Sequence, residues 1–128
     1  MILDTSAVTA IFLQEPGYEV LLERLARARV LAMAAPSLLE LGIVLSARLR
    51  RDATPLVDRF LREAGVETIA FGEDHWRVAV AAWRRFGRGR HPAGLNFGDC
   101  IAYAAARLAD QPLLCVGDDF PKTDLRLA

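Results

Sequence analysis

Acidic residues stand where the chain passes from predicted strands into predicted helices or turns. These acids are Asp4, Glu40, Asp99, Asp118 and Asp119. Carboxylates that converge on one place repel one another unless a cation lies among them, and an all-oxygen ligand set favours Mg²⁺ or Mn²⁺. A cation held by carboxylates in an open cleft is typical of enzymes that hydrolyse phosphate esters. The spacing of these acids therefore predicts a metal site.

Each of these acids also fits a structural role. Asp4 is a plausible helix N-cap, and Ser37 with Glu40 has the S-x-x-E spacing of a capping box. Asn96 and Asp99 suit a cap as well, and the aspartate pair 118–119 suits a turn after a strand. Both roles stay open for each residue alone, and their shared position favours the metal site.

Short apolar runs alternate with helical segments along the whole chain. This alternation predicts an α/β fold with a parallel sheet covered on both faces, whose strand ends share one edge. The predicted strands are 1–3, 30–34, 66–70 and 113–116, and the predicted helices are 7–13, 19–27, 37–51, 52–64, 73–86 and 97–109.

The helices differ in the pattern of their apolar residues. The third and the last are apolar nearly all round, which predicts that they are buried. Helix 73–86 carries one apolar stripe, which predicts core or dimer contacts. The stripe consists of Trp76, Ala79, Val80, Trp83 and Phe86.

Length and composition narrow the class of protein. The 128 residues predict a single domain, 1–128, and 16 basic against 16 acidic residues give no net charge. A broadly basic nucleic-acid-coating protein is excluded. Two cysteines are too few for a disulfide framework. We find no secretory signal and no apolar run of about 18 residues. We therefore expect a cytoplasmic protein without membrane contact.

A basic loop precedes the acid at position 99. Its arginines include Arg85, Arg88 and Arg90. Guanidinium groups beside an acidic cleft are suited to binding backbone phosphates. A solvated connecting loop is the alternative.

The motifs taken together resemble a known family. Asp4 after the first strand, Glu40 in an apolar helix and the segment LNFGDC opening a later helix resemble a PIN domain. More narrowly, GRGRHPAGLNFGDC followed by LLCVGDDFPKTDL is similar to the VapC-type toxins of toxin–antitoxin pairs. The resemblance extends from residue 1 to about residue 125.

The resemblance implies a three-layer α/β/α fold with a central parallel sheet. It also implies that the protein is a Mg²⁺-dependent endoribonuclease, for which Mn²⁺ is the other suitable ion. It also implies a homodimer, a small co-encoded antitoxin, and structured RNA such as tRNA as substrate. A metal-activated water would attack the phosphorus in line. The basic loop would then contact RNA.

The resemblance also assigns roles to individual residues. Asp4, Glu40, Asp99 and Asp119 match the family's catalytic positions, with Asp4 and Asp99 as metal ligands. Ser6 and Asn96 match polar positions that line the site. Many PIN domains have a further acid at the position of Gly117, and here the adjacent Asp118 is the acidic residue.

Two other classes of protein remain as alternatives. One is a phospho-acceptor module, although Lys122 is the only lysine that could pair with a phosphoryl group. The other is a non-catalytic interaction domain whose acids serve only as caps.

Overall fold

The fold is built on a central sheet. The structure, a computed structural model, describes residues 1–128. The sheet has four strands in the order β3-β2-β1-β4, and every neighbouring pair is parallel. The strands are β1 (Ile2–Leu3), β2 (Leu31–Ala34), β3 (Val66–Ile69) and β4 (Leu113–Leu114). The predicted parallel sheet is confirmed, with strands shorter than their apolar runs.

Six helices and a short 3₁₀ turn connect and cover the strands. They are α1 (Thr5–Phe12), α2 (Tyr18–Arg27), α3 (Ala35–Leu49), α4 (Thr54–Ala64), α5 (Glu73–Phe86), α6 (Phe97–Ala109) and the 3₁₀ turn Phe120–Lys122. The predicted bounds of α5 and α6 are confirmed. None of the helices combines the length and the hydropathy that a membrane span requires.

Two apolar cores lie on opposite faces of the sheet. Successive strand residues point to opposite faces, so Ile2 belongs to the core beneath α5 and α6, whereas Leu3 belongs to the core formed with α1 to α4. Leu113 and Leu114 divide between the two cores in the same way. This arrangement confirms the three-layer α/β/α fold.

The strand order reverses at β1. From β1 the chain proceeds outward through β2 to β3, and it then returns to place β4 on the other side of β1. The backbone N–H of Asp4 donates to the carbonyl of Leu114 at 2.9 Å, which joins the ends of these two strands. Open parallel sheets bind ligands at such a switch point, beyond the carboxyl ends of the strands.

The structure excludes the capping box that was the alternative role of Ser37 and Glu40. Helix α3 begins at Ala35, directly after β2, with Pro36 in its first turn. Proline suits this position because its missing N–H would have no helical partner. Ser37 therefore lies inside the helix, where it is buried, and it cannot cap it.

The expectation that α3 is buried all round is wrong, because Leu39 and Ile43 are 66% and 60% exposed. The stripe on α5 is divided: Phe86 is buried in the core, whereas Trp76 and Trp83 are 49% and 42% exposed, so their predicted dimer contact stays a prediction. Each of these helices covers only one side of the sheet, so an apolar outer face remains in solvent.

Candidate functional site

Asp4 occupies the junction between β1 and α1. It is the N-cap of α1, and its Oδ2 accepts the backbone N–H of Ser6 at 3.0 Å and the Ser6 hydroxyl. That hydroxyl also accepts the N–H of Val116 at 3.0 Å, which links Asp4 to the chain after β4. Burial raises the pKa of Asp4, and the bonds from Ser6 offset only part of this effect. The carboxylate is thus fixed where charge is costly.

Asp99 lies in the first turn of α6 and forms a reciprocal cap with Asn96. Burial raises the pKa of Asp99, while the backbone N–H of Asn96 lowers it. The charges of Asp4 and Asp119 raise this pKa further, and the charge of Arg88 lowers it. The structure therefore brings the loop after β4 and the loop before α6 to the same carboxylate.

Glu40 projects from α3 towards the same cleft. Burial raises its pKa, and so do the charges of Asp4 and Asp99. The nearby Thr5 hydroxyl lowers this pKa, although its hydrogen bond goes to the carbonyl of Ser37 at 3.2 Å. Asp4, Glu40 and Asp99 thus form one electrostatically coupled cluster at the carboxyl edge, as predicted from the spacing.

The two aspartates after β4 differ in their relation to this cluster. Asp119 immediately precedes the 3₁₀ turn, and its charge raises the pKa of Asp99. Both aspartates are exposed, and of the two it is Asp119 whose charge acts appreciably on that carboxyl. This difference favours Asp119 as the fourth acid of the cluster.

The donor atoms of the cluster fit a hard divalent cation. All of them are carboxylate oxygens, and a cation would relieve both causes of the raised pKa values of Glu40 and Asp99, which are burial first and repulsion by the other carboxylates second. No three His, Cys, Asp or Glu side chains are already arranged around one ion position. Asp4 and Asp99 instead each direct Oδ2 to a capping partner. Ion binding would therefore draw the carboxylates together.

The arginines of the basic loop do not share one environment. Arg85 pairs with Asp124 at 2.9 Å, which ties α5 to the C-terminal segment. Arg90 lies over the ring of Trp83, 4.3 Å from its centroid. Arg88 is the one whose charge reaches Asp99. The sequence predicted all three arginines as RNA contacts. Of the three, the structure favours Arg88, because its charge acts on the acidic cluster.

The loop itself is held in place. The N–H of Arg88 donates to the carbonyl of Leu95 at 3.0 Å, and the N–H of Leu95 donates to Phe86 at 2.9 Å. His91 packs edge-on against Phe86, with ring centroids 5.1 Å apart. The loop between α5 and α6 is therefore a structured connection that fixes the backbone of Arg88.

Three residues near the site were not predicted from the sequence to belong to it. The buried Thr5 and Ser37 join α1 to α3 through the bond described above. Burial and the charges of Asp4 and Asp99 raise the pKa of the Cys115 thiol to about 12. Their local signal was weak, because small polar residues and cysteines are common in cores; only the position next to Asp4 could have drawn attention to Thr5.

Comparison with known proteins agrees with this geometry. The family model for the PIN domain matches residues 1–125. Ribonuclease VapC42 of Mycobacterium tuberculosis is 46% identical over 129 residues, covering 100% of this chain and 98% of the relative.

Solved structures share the fold. The crystal structure of Mycobacterium tuberculosis VapC20, described as a sarcin-ricin loop cleaving toxin, has a TM-score of 0.80 at 16% identity and covers 99% of this chain and 97% of that one. A toxin–antitoxin complex from Klebsiella pneumoniae has a TM-score of 0.72 at 17% identity and covers 99% and 95%. The family model and the full-length relative show that the chain belongs to the PIN-domain family and, within it, to the VapC ribonucleases.

Proposed function

We propose that this protein is a metal-dependent endoribonuclease that acts as the toxin of a toxin–antitoxin pair. The observation that carries the proposal is the coupled cluster of Asp4, Glu40 and Asp99 at the switch point of the sheet, in a chain that belongs to the VapC ribonucleases. Family membership favours a nuclease over a phospho-acceptor module or a non-catalytic domain. We propose the cytoplasm as the place of action, because the proposed substrate is RNA.

In this proposal Asp4 and Asp99 would hold Mg²⁺ or Mn²⁺. Such an ion activates water and stabilises negative charge that develops on a phosphate. The backbone N–H and the hydroxyl of Ser6 orient the Asp4 carboxylate, and the backbone N–H of Asn96 orients the Asp99 carboxylate. These polar partners keep two mutually repelling carboxylates in place before any cation arrives.

Glu40 and Asp119 complete the acidic cleft. The raised pKa of Glu40 makes its carboxylate a better proton acceptor than an ordinary glutamate. We assign it to orienting and deprotonating the water that attacks the phosphorus, as one P–O ester bond of the backbone breaks. Asp119 adds negative charge near Asp99.

Arg88 is the residue best placed to contact an RNA phosphate. Its guanidinium is exposed and its charge acts on Asp99, so a phosphate bound there would lie beside the acidic cluster. Arg90 is also exposed and would serve as a more distant contact. Structured RNA such as tRNA is the substrate class that we propose.

The direct test is cleavage of RNA by the purified protein. Total RNA and tRNA should be cut with Mg²⁺ or Mn²⁺ present, and a chelator should stop the reaction. The Asp99→Asn protein, purified in the same way, controls for contaminating nucleases. If chelated and metal-loaded samples cleave equally, the metal-dependent mechanism is wrong.

We also propose a small antitoxin as the natural inhibitor. The support is that a structural neighbour of this chain is a toxin–antitoxin complex. Expression of this chain alone should arrest growth, and co-expression of the protein encoded beside it should restore growth and form a complex that can be purified. Growth arrest that persists with Asp99→Asn would place the toxicity outside this site.

A second copy of the chain is the other partner that we propose. Trp76, Val80, Trp83 and Phe97 line one open apolar groove, and Phe97 is 85% exposed. An apolar patch of this kind, beside the first turn of α6, is suited to a two-fold contact in which the same side chains cover one another. Trp83→Glu should give a monomer in light scattering, whereas a parent protein that is itself monomeric would contradict the homodimer.

A further inference from the structure

Gly98 lies against the carboxylate of Glu40. A Cβ atom built on Gly98 would be 2.3 Å from Glu40 Oε2, 3.2 Å from its Cδ and 3.3 Å from its Oε1. These are the three atoms nearest to that position, and all belong to one carboxylate. Real Cβ atoms do not approach an oxygen as closely as 2.3 Å, so any side chain at position 98 must displace Glu40.

The backbone gives no other reason for a glycine at position 98. The residue lies in the first turn of α6, and its φ is outside the left-handed region that favours glycine. Glycine is disfavoured in helices relative to alanine. The helix therefore carries a less favourable residue at the one point where the Glu40 carboxylate meets its backbone.

We propose that Gly98 is a positioning residue for Glu40. Its missing side chain lets the Glu40 carboxylate reach the first turn of α6, and so lie in the same cleft as Asp99. The proposal deepens the nuclease function proposed above and relies on it for the consequence for cleavage. The contact itself can be tested without any RNA.

Gly98→Ala should displace the carboxylate and leave the fold intact. The atoms that must move are at the end of a flexible side chain, so we expect the melting temperature to change by no more than about 2 °C. Cleavage should fall at least about tenfold, towards the level of Glu40→Gln. Mn²⁺ affinity, measured by electron paramagnetic resonance without RNA, should weaken by a similar factor in both variants.

Gly42→Ala is the matched control. Gly42 lies in α3, the helix that carries Glu40, and a Cβ there would meet nothing within 4 Å. We expect parent-like cleavage and Mn²⁺ affinity with an unchanged or higher melting temperature. A loss of function in this control would attribute the effect to helix substitution in general and overturn the proposal.

The double variant Gly98→Ala, Glu40→Gln decides whether Gly98 acts through Glu40. Its Mn²⁺ affinity should equal that of Glu40→Gln alone, because the displaced group has already lost its charge. Three results for Mn²⁺ affinity would each overturn the positioning role. The double variant could bind Mn²⁺ more weakly than Glu40→Gln, Gly98→Ala could bind it as the parent does, or Glu40→Gln could leave the affinity unchanged.

The experiments distinguish failure of the role proposed for Gly98 from failure of the proposed nuclease function. A parent protein that does not cleave RNA contradicts the proposed function, while the Mn²⁺ comparison still decides the role of Gly98. If Gly98→Ala does not fold, Glu40→Ala in the same chain removes the obstructing side chain and should restore the melting transition. Failure to restore it would overturn the proposal.

Discussion

Asp99 and Asn96 exchange two hydrogen bonds of equal length across the first turn of α6. The backbone N–H of Asn96 donates to Asp99 Oδ2 at 2.9 Å, and the backbone N–H of Asp99 donates to Asn96 Oδ1 at 2.9 Å. Such a cap satisfies helix N–H groups that lack partners in the helix. Asp99 therefore holds the helix start with one oxygen and has a second for another partner.

Asp99→Asn should separate these two roles. An asparagine oxygen can still accept the N–H of Asn96, so the melting temperature should stay within a few degrees of the parent. The charge that holds a cation is lost, so cleavage of RNA should fall at least about 100-fold.

The matched control for this substitution is Asp74→Asn. Asp74 is exposed and lies in the first turn of α5, as Asp99 lies in the first turn of α6. We expect full cleavage from this control in a gel assay with labelled RNA. Equal cleavage rates for Asp99→Asn and the parent would remove Asp99 from the site.

The stability of the metal-free protein should fall as pH rises above about 4. The folded pKa values of Asp4, Glu40 and Asp99 are raised above the ordinary values of 3.8 for aspartate and 4.5 for glutamate. In that window these three carboxyls bind more protons in the folded chain than in the unfolded chain, so their deprotonation favours unfolding. Asp124, whose pKa is lowered, acts in the opposite direction. The free energy of unfolding in chelator, measured with urea, should therefore decrease from the unfolded pKa values up through the raised ones.

At neutral pH, Mg²⁺ or Mn²⁺ should restore the free energy of unfolding that the metal-free protein loses as pH rises, because an ion that binds only the folded state stabilises it. The double variant Asp4→Asn, Asp99→Asn should lose the response to metal and be at least as stable as the parent in chelator. A metal response that survives in the double variant would place the ion elsewhere in the molecule.

Arg88→Ala should weaken RNA binding without lowering the cleavage rate at saturating RNA. Losing one phosphate contact should reduce the slope of log affinity against log salt concentration by about one. Arg84→Ala, also in an exposed position on the preceding helix, serves as the control and should keep the parent slope. Fluorescence anisotropy with labelled RNA at several salt concentrations measures the RNA affinity and the salt slope of each variant.

Arg85→Ala should behave differently from Arg88→Ala. Asp124 accepts the Tyr103 hydroxyl at 2.7 Å and pairs with Arg85, so this arginine braces the C-terminal segment against α5 and α6. An exposed pair of this kind contributes little, so the melting temperature should fall only slightly, with the salt slope unchanged. A salt slope that drops for Arg85→Ala and not for Arg88→Ala would reverse the assignment.

Glu40→Gln should abolish most cleavage while preserving the fold. The amide keeps the shape of the side chain but removes a half-buried charge that Asp4 and Asp99 repel, so stability in chelator should hold or rise. Loss of the charge and of the proton acceptor should lower cleavage by about 100-fold or more.

Glu67→Gln is the control for this substitution, because Glu67 is exposed on β3 and forms no ion pair in the structure. It should cleave RNA at the parent rate in the same assay. Full activity in Glu40→Gln would instead give Glu40 a purely structural role.

The sequence alone predicted the sheet and the edge at which the acids meet. Apolar runs between helical segments leave few alternatives to a parallel sheet, and in such a sheet the residues that follow Leu3 and Leu114 must lie at one edge. The bounds of α5 and α6 also followed from local signals. Periodicity marked α5, and Asn96 with Asp99 marked the start of α6.

Burial and charge environment could not be obtained in this way. An apolar residue such as Leu39 or Trp83 is equally consistent with a core and with an exposed patch, because periodicity identifies a face and not what covers it. The arginines of the basic loop looked alike in the sequence. Their partners, Asp124 for Arg85 and the Trp83 ring for Arg90, are set by elements packed against the loop.

The sequence by itself determined the α/β class, the parallel sheet and the positions of the acids at strand and helix ends, because short-range patterns dictate these features. Only the tertiary structure decided that α3 begins at Ala35, which removes the capping role of Glu40, and that Glu40 meets α6 at Gly98. The physical reason is that contact between α3 and α6 depends on how both helices pack on the sheet. No local pattern encodes the distance between a glutamate and a glycine so far apart in the chain.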